Sequence, residues 1–97
     1  MHIHLASTPL SRLLGLLGRS PSPTPLLIVP ARSIHTFGMR RPIDVVFLDA
    51  DLRVVKVVPR LRPNRLASAR RAVAVLELVA GATTLRPGDR LALTLAR

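Results

Sequence analysis

His35, Asp44 and Glu77 are the side chains of this chain whose types could do chemistry together. An imidazole and two carboxylates form a donor set for a divalent metal, and the same groups can work as general acid and base. His35 is the one histidine in the body of the chain, since His2 and His4 sit at its start, and Asp44 is its first acidic residue. The three are far apart in sequence, so only a fold that brings separate strands together could assemble them. Each also has a plain structural role open to it. His35 and Thr36 can bond across a turn, Asp44 can cap the loop before its strand, and Glu77 can pair with an arginine.

A second constellation overlaps the first. Arg32, Arg40 and Arg41 with His35 could make a basic pocket for a carboxylate, a phosphate or a sugar acid, gripped by bidentate guanidinium contacts. Thr36 and Met39 fall within the same stretch, Met39 being better suited to core packing than to ligation. The ligand-binding residues expected from sequence are therefore Arg32, His35, Thr36, Met39, Arg40, Asp44 and Glu77. No catalytic residue, metal or cofactor is assigned. Ser/His/Asp spacing, a phosphate-cradling glycine loop and a metalloprotease helix motif are all missing from the sequence.

Charge suggests partners without choosing one. Fifteen Lys and Arg against five Asp and Glu give a net charge of +10, which attracts nucleic acid, anionic lipid or acidic partners at long range. Lys56 is the single lysine, so the basic residues are almost all arginine, a bias that a GC-rich genome also produces. The segment from Pro59 to Arg71 holds Arg60, Arg62, Arg65, Arg70 and Arg71 and reads as an exposed basic loop, open to RNA contact or to plain solvation. Cysteine is absent, which excludes disulfides, thiolate metal sites and a cysteine nucleophile.

The elements that must position these residues are short. With 97 residues the chain supports one domain, spanning residues 1 to 97, and with two Phe and neither Trp nor Tyr its core must be aliphatic. Nine prolines and five glycines argue for many brief elements. His2 to Ala6 alternates as an edge strand does. Thr8 and Pro9 suit a helix start, and Leu10, Leu13, Leu14 and Leu17 share one helical face before Gly18. The acid-free first 43 residues also resemble an organellar transit segment.

Beyond the proline-rich loop Ser20 to Pro25, Leu26 to Val29 reads as a strand ended by Pro30. Ile43 to Leu48 and Leu52 to Val58 read as antiparallel strands joined through Asp49-Ala50-Asp51. Ala72 to Val79 is the next strand, with Glu77 facing either core or solvent. The turn Arg86-Pro87-Gly88-Asp89 leads into an alternating strand from Arg90 to Leu95. This pattern predicts a mainly β chain, a compact antiparallel sandwich or barrel-like domain with one short N-terminal helix.

The order of these pieces resembles the prokaryotic family called domain of unknown function 192, over residues 3 to 95. The helix pattern Arg12-Leu13-Leu14-Gly15-Leu16-Leu17-Gly18-Arg19 is followed by Arg32-Ser33-Ile34-His35-Thr36-Phe37-Gly38-Met39 and by the strand Pro42-Ile43-Asp44-Val45-Val46-Phe47-Leu48-Asp49. Val75-Leu76-Glu77-Leu78-Val79-Ala80-Gly81 and the turn Pro87-Gly88-Asp89 complete it. The resemblance implies a β-rich, sandwich-like domain with a short helix and brings the N-terminal segment into that domain. It implies no activity, because the family has none assigned.

This chain departs from the family pattern in having Ala31 where relatives often carry cysteine, Arg41 for a bulky apolar residue, Leu52 for glycine and Val79 for proline.

The sequence thus points to an uncharacterised, non-enzymatic β domain in the cytoplasm, with a shallow site for a small anionic ligand between His35 and Asp44. Two alternatives stand beside it: a metal-assisted hydrolase using His35, Asp44 and Glu77, and a nucleic-acid binder using the arginine-rich segment 60 to 71. No stretch reaches the roughly 20 apolar residues that span a membrane.

Overall fold

A computed structural model of the chain describes residues 2–6, 25–92 and 94–95. Its strands, in chain order, are β1 (His2–Ala6), β2 (Leu26–Ile28), β3 (Ser33–His35), β4 (Ile43–Leu48), β5 (Val54–Leu61), β6 (Leu66–Ser68), β7 (Ala74–Val79) and β8 (Thr94–Leu95). Six of them form one sheet in the order β5-β4-β7-β2-β1-β8, and β3 pairs with β6 in a separate two-stranded ribbon. The protein is mainly β, with no helix among the described residues. The expected helix from Thr8 to Gly18 lies outside those residues.

The centre of the sheet follows from composition. β4 and β7 are rich in Val, Ile, Leu and Phe, side chains that suit a pleated surface covered on both sides. Every residue of β4 is buried, and in β7 only Val79 is exposed. Alternation sorts them into two cores. Val46, Leu48, Ala74, Leu76 and Leu78 point to one face and pack with Leu27, Val54 and Leu91. Ile43, Val45, Phe47 and Val75 point to the other and pack with Ile28, Ile34, Met39 and Ala72. The ribbon covers this second face, through Ile34 from β3 and Ala67 from β6.

Three expectations change. The sheet is not wholly antiparallel: β4 runs antiparallel to β5 and β7, and β7 to β2, but β1 lies parallel to both β2 and β8. For the same reason β1 is not an edge strand. Its alternating pattern reported a strand correctly, but carried no information about which neighbours would flank it. Nor is the segment from Pro59 to Arg71 a loop. β5 continues through Pro59 to Leu61, and β6 begins at Leu66, leaving only residues 62 to 65 as the connection. β5 is the outermost strand of its sheet, a position where a proline's missing N–H need cost no ladder bond.

The turns are built as the aspartates suggested. Asp49 Oδ1 accepts the N–H groups of Asp51 and Arg53, both at 2.9 Å, and closes the β4–β5 hairpin. In the turn at 86 to 89, Asp89 Oδ2 accepts Arg86 N–H at 2.8 Å while Asp89 N–H donates to Arg86 C=O at 3.0 Å. The two turns are joined, because Val54 N–H donates to Asp89 C=O, Leu91 N–H to Leu52 C=O, and the Arg90 side chain to Asp51 C=O. They border the face packed by Leu52, Leu85 and Leu91, away from the ribbon.

Candidate functional site

Thr36 follows directly on β3 and is completely buried. Its hydroxyl donates to Arg62 C=O at 2.6 Å and accepts Arg65 N–H at 2.9 Å. Its backbone adds two more bonds to the same segment, Thr36 N–H to Arg65 C=O and Asn64 N–H to Thr36 C=O. One threonine thus fastens the 62–65 connection to the end of β3. Asn64 has a φ of 61°, in the left-handed region that asparagine tolerates better than most residues. Beyond Thr36 the chain turns at once: Met39 N–H donates to Thr36 C=O at 3.2 Å, and Gly38 takes a φ of 80° at the third position. A side chain there would be strained.

Asp44 is the second buried anchor. Oδ1 accepts Arg60 N–H at 2.9 Å, and Oδ2 accepts the N–H groups of Gly81 at 3.0 Å and Thr83 at 3.1 Å. A carboxylate, with its several acceptor sites, can satisfy three donors at once. Asp44 therefore ties the end of β5 and the turn after β7 to the start of β4.

From Thr36 the outward face of the ribbon runs back along β3 and β6. In β3, Ile34 points into the core while Ser33 is exposed and His35 half-buried; in β6, Leu66 and Ser68 are exposed on either side of Ala67. Register sets His35 across from Leu66 and Ser33 across from Ser68. Leu66 is 72% exposed and Phe37 46%, and the rings of His35 and Phe37 lie with centroids 5.0 Å apart at an interplanar angle of 31°. Two rings and a leucine thus make an apolar strip on the surface.

Cations flank this strip at both ends. Arg62 and Arg65 leave the connection pinned by Thr36, and Arg40 follows Met39. At the other end Ala69 N–H donates to Arg32 C=O, which brings Arg32 to the segment carrying Arg70 and Arg71. Lys56 Nζ reaches across from β5 to Ser68 C=O at 2.8 Å. All seven of these side chains are exposed. Shallow open grooves run alongside. One of about 330 Å³ is lined by Val55, Lys56, Ser68, Arg70 and Arg71, and another of about 470 Å³ by Ser33, Lys56, Leu66 and Ser68.

None of the chain's five acidic side chains lies on the ribbon strands or lines these two grooves. Asp44 and Glu77 are buried, and Asp49, Asp51 and Asp89 belong to the two joined turns bordering the opposite core.

The sequence-expected residues divide accordingly. Arg32, His35 and Arg40 reach the surface. Thr36, Met39, Asp44 and Glu77 are buried, Met39 within the core under the ribbon. The three-residue metal site proposed for a hydrolase does not assemble. Glu77 is the register partner of Val45, whereas Asp44 is the partner of Leu78, so the two carboxylates leave the sheet on opposite faces. Among the described residues no three His, Cys, Asp or Glu side chains gather as a metal site. Phe37, Leu66 and Lys56 were missed by sequence reasoning. Phe37 offered a signal, as one of two aromatic rings in an arginine-rich chain, but the pairing of Thr36 with residues 62 to 65 has none.

Comparison with known proteins places this geometry. The model of the family DUF192, "Uncharacterized ACR", matches residues 1–93. The UPF0127 protein PH1112 of Pyrococcus horikoshii is 38% identical over 69 residues, which cover 66% of this chain and 59% of that protein, less than two thirds of its length. A protein of unknown function from Novosphingobium aromaticivorans has the same fold, with a TM-score of 0.76 at 23% identity over 89% of this chain and 70% of its own. A protein described as a putative transcription regulator from Sinorhizobium meliloti superposes with a TM-score of 0.78 at 25% identity, over 91% of this chain and 78% of its own. None of these descriptions names an enzymatic activity. No described helix is long and apolar enough to cross a membrane. With its family model matched along nearly its whole length, the chain belongs to the uncharacterised DUF192 family.

Proposed function

We propose that this chain is a non-enzymatic binding domain that takes an anionic ligand on the outward face of the β3–β6 ribbon. One observation carries the reading. Arg32, Arg40, Lys56, Arg62, Arg65, Arg70 and Arg71 surround that face, while Asp49, Asp51 and Asp89 belong to the joined turns at 49–53 and 86–89 and not to the ribbon. A one-signed surface of this kind concentrates anions near it, and guanidinium groups bind carboxylate and phosphate oxygens two at a time. The openness of the grooves fits a binding surface better than an active site, since catalysis profits from a cavity that excludes water.

Among the residues expected from sequence, Arg32, His35 and Arg40 would meet the ligand, while Thr36 and Asp44 would act by positioning the segments that bear Arg60, Arg62 and Arg65. Titration with inorganic pyrophosphate, followed by backbone amide NMR shifts, tests this. Shifts concentrated on residues 32 to 37 and 62 to 71 are expected. Shifts confined to residues 49 to 53 and 86 to 90, or no saturable shifts at all, would overturn it.

A further inference from the structure

We propose that the anionic ligand of the ribbon face is single-stranded nucleic acid, with a base stacked on Phe37 and the phosphates held by the flanking arginines. The proposal rests on the anion-binding reading above and adds a feature that charge does not explain. Simple electrostatic attraction needs no apolar surface, yet the centre of this cationic face is the strip of Phe37, His35 and Leu66. The Phe37 ring is nearly half exposed, and Leu66 more so. Leaving such groups in water forgoes burial energy.

The His35 and Phe37 rings form a tilted pair at 31°, which leaves the other face of Phe37 for a base. His35 backs the Phe37 ring at 5.0 Å, and β3 holds His35 in register against Leu66. Phe37 is therefore supported on one side, and its exposure leaves the ring accessible from solvent. The backbones of Arg62 and Arg65 are fixed next to Thr36, the residue before Phe37, through its hydroxyl. Aromatic rings interleaved with cations along an open groove are the pattern by which small β surfaces hold single strands, because every base has a π-face and every link a phosphate. A duplex keeps its bases stacked on one another and offers only backbone charge to this face. The pairing of Phe37 with the arginines arises only in the fold.

The experiment uses the full chain and three fluorescent probes: mixed-sequence single strands about ten nucleotides long, as RNA and as DNA, the matching duplex, and inorganic polyphosphate. Wild type is expected to bind the single strands more tightly than the duplex, with affinity falling as salt rises. Phe37→Leu, which keeps an apolar side chain at an exposed position, is expected to weaken single-strand binding about tenfold and leave polyphosphate binding unchanged.

Arg65→Gln should weaken both and flatten the salt dependence by about 0.7 in the log–log slope. Preference for either RNA or DNA supports the proposal and says which strand the site takes. If Phe37→Leu leaves single-strand affinity unchanged, or if the duplex binds as tightly as the strands, the proposal falls while the anion-binding reading stands. If neither the strands nor polyphosphate bind, both fall.

Discussion

The Thr36 hydroxyl donates to the Arg62 carbonyl at 2.6 Å, across twenty-six positions of sequence, and the same oxygen accepts the Arg65 N–H at 2.9 Å. Thr36→Val keeps the shape of the side chain and removes both bonds, leaving two backbone groups in a partly buried place without their partner. A loss of about 1 to 3 kcal/mol in unfolding free energy is expected by urea denaturation. Thr36→Ser retains the hydroxyl and should lose about 1 kcal/mol, the worth of a buried methyl group. Equal losses for Val and Ser would show that the hydroxyl does not hold the connection.

The strands were legible in the sequence where hydrophobic pattern alone decided them. β4 runs over Ile43–Leu48 as its apolar run implies, and Asp49 closes the hairpin through its own side chain. Long-range pairing was not legible. A shift of one position in the register of β4 against β7 would pair Asp44 with Glu77 or Val79 and put both carboxylates on one face, and nothing local in either strand reports which register wins. The candidate site suffered most from this. The segment of Arg62 and Arg65 comes beside that of Phe37 only because Thr36 bonds it across a long stretch of sequence, whereas Asp44, conspicuous as a lone acid at the start of an apolar strand, gives its carboxylate to backbone N–H groups.

That use of Asp44 gives a second prediction. Asp44→Asn replaces one acceptor oxygen by an NH₂ group that faces donors, so at least one of the bonds from Arg60, Gly81 and Thr83 must break. Bonds to a charged acceptor are worth more than neutral ones, and a loss of about 2 to 3 kcal/mol is expected. Hydrogen exchange offers the sharper check. The amides of Gly81 and Thr83 should exchange faster in the variant while those of β4 at Val46 and Phe47 change only with global stability. Unchanged protection at Gly81 and Thr83 would contradict the anchoring role.

Gly81 itself is constrained twice. Its φ is 85°, and a Cβ placed there would lie 3.1 Å from Arg60 Nη2. The arginine terminus can move, but the backbone conformation cannot be relieved so simply. Gly81→Ala should destabilise the chain by about 1 to 2 kcal/mol, measured by thermal melting. Combining it with Arg60→Ala should recover only a small part, because the strain lies in the backbone and not in the contact. Full recovery in the double variant would reverse that assignment.

The exposed arginines of the ribbon face predict the opposite behaviour. Arg62 and Arg65 are exposed, the Arg65 guanidinium donating only to the neighbouring Asn64 C=O at 3.3 Å, and it is the backbone of each that bonds to Thr36. Arg62→Gln and Arg65→Gln are expected to change stability by less than about 0.5 kcal/mol, as surface substitutions usually do, while the same variants weaken binding of polyphosphate. A stability loss as large as that of Thr36→Val would mean that these side chains serve the fold instead of a ligand.

Leu52 stands where the family resemblance leads one to expect glycine, and its φ is 62°, in the left-handed region that glycine adopts freely. A leucine in the left-handed region carries a backbone cost of about 1 to 2 kcal/mol. Its side chain recovers part of this by packing, half-buried, against the core of Leu76, Leu78 and Leu91. Two substitutions separate the terms. Leu52→Ala loses the packing and keeps the strained conformation, whereas Leu52→Gly loses the same packing and relieves the strain. Glycine should therefore leave the protein about 1 kcal/mol more stable than alanine does, the reverse of their usual order in regular structure. Thermal melts of the two variants decide it: alanine at or above glycine would show that this turn holds no strain for glycine to release.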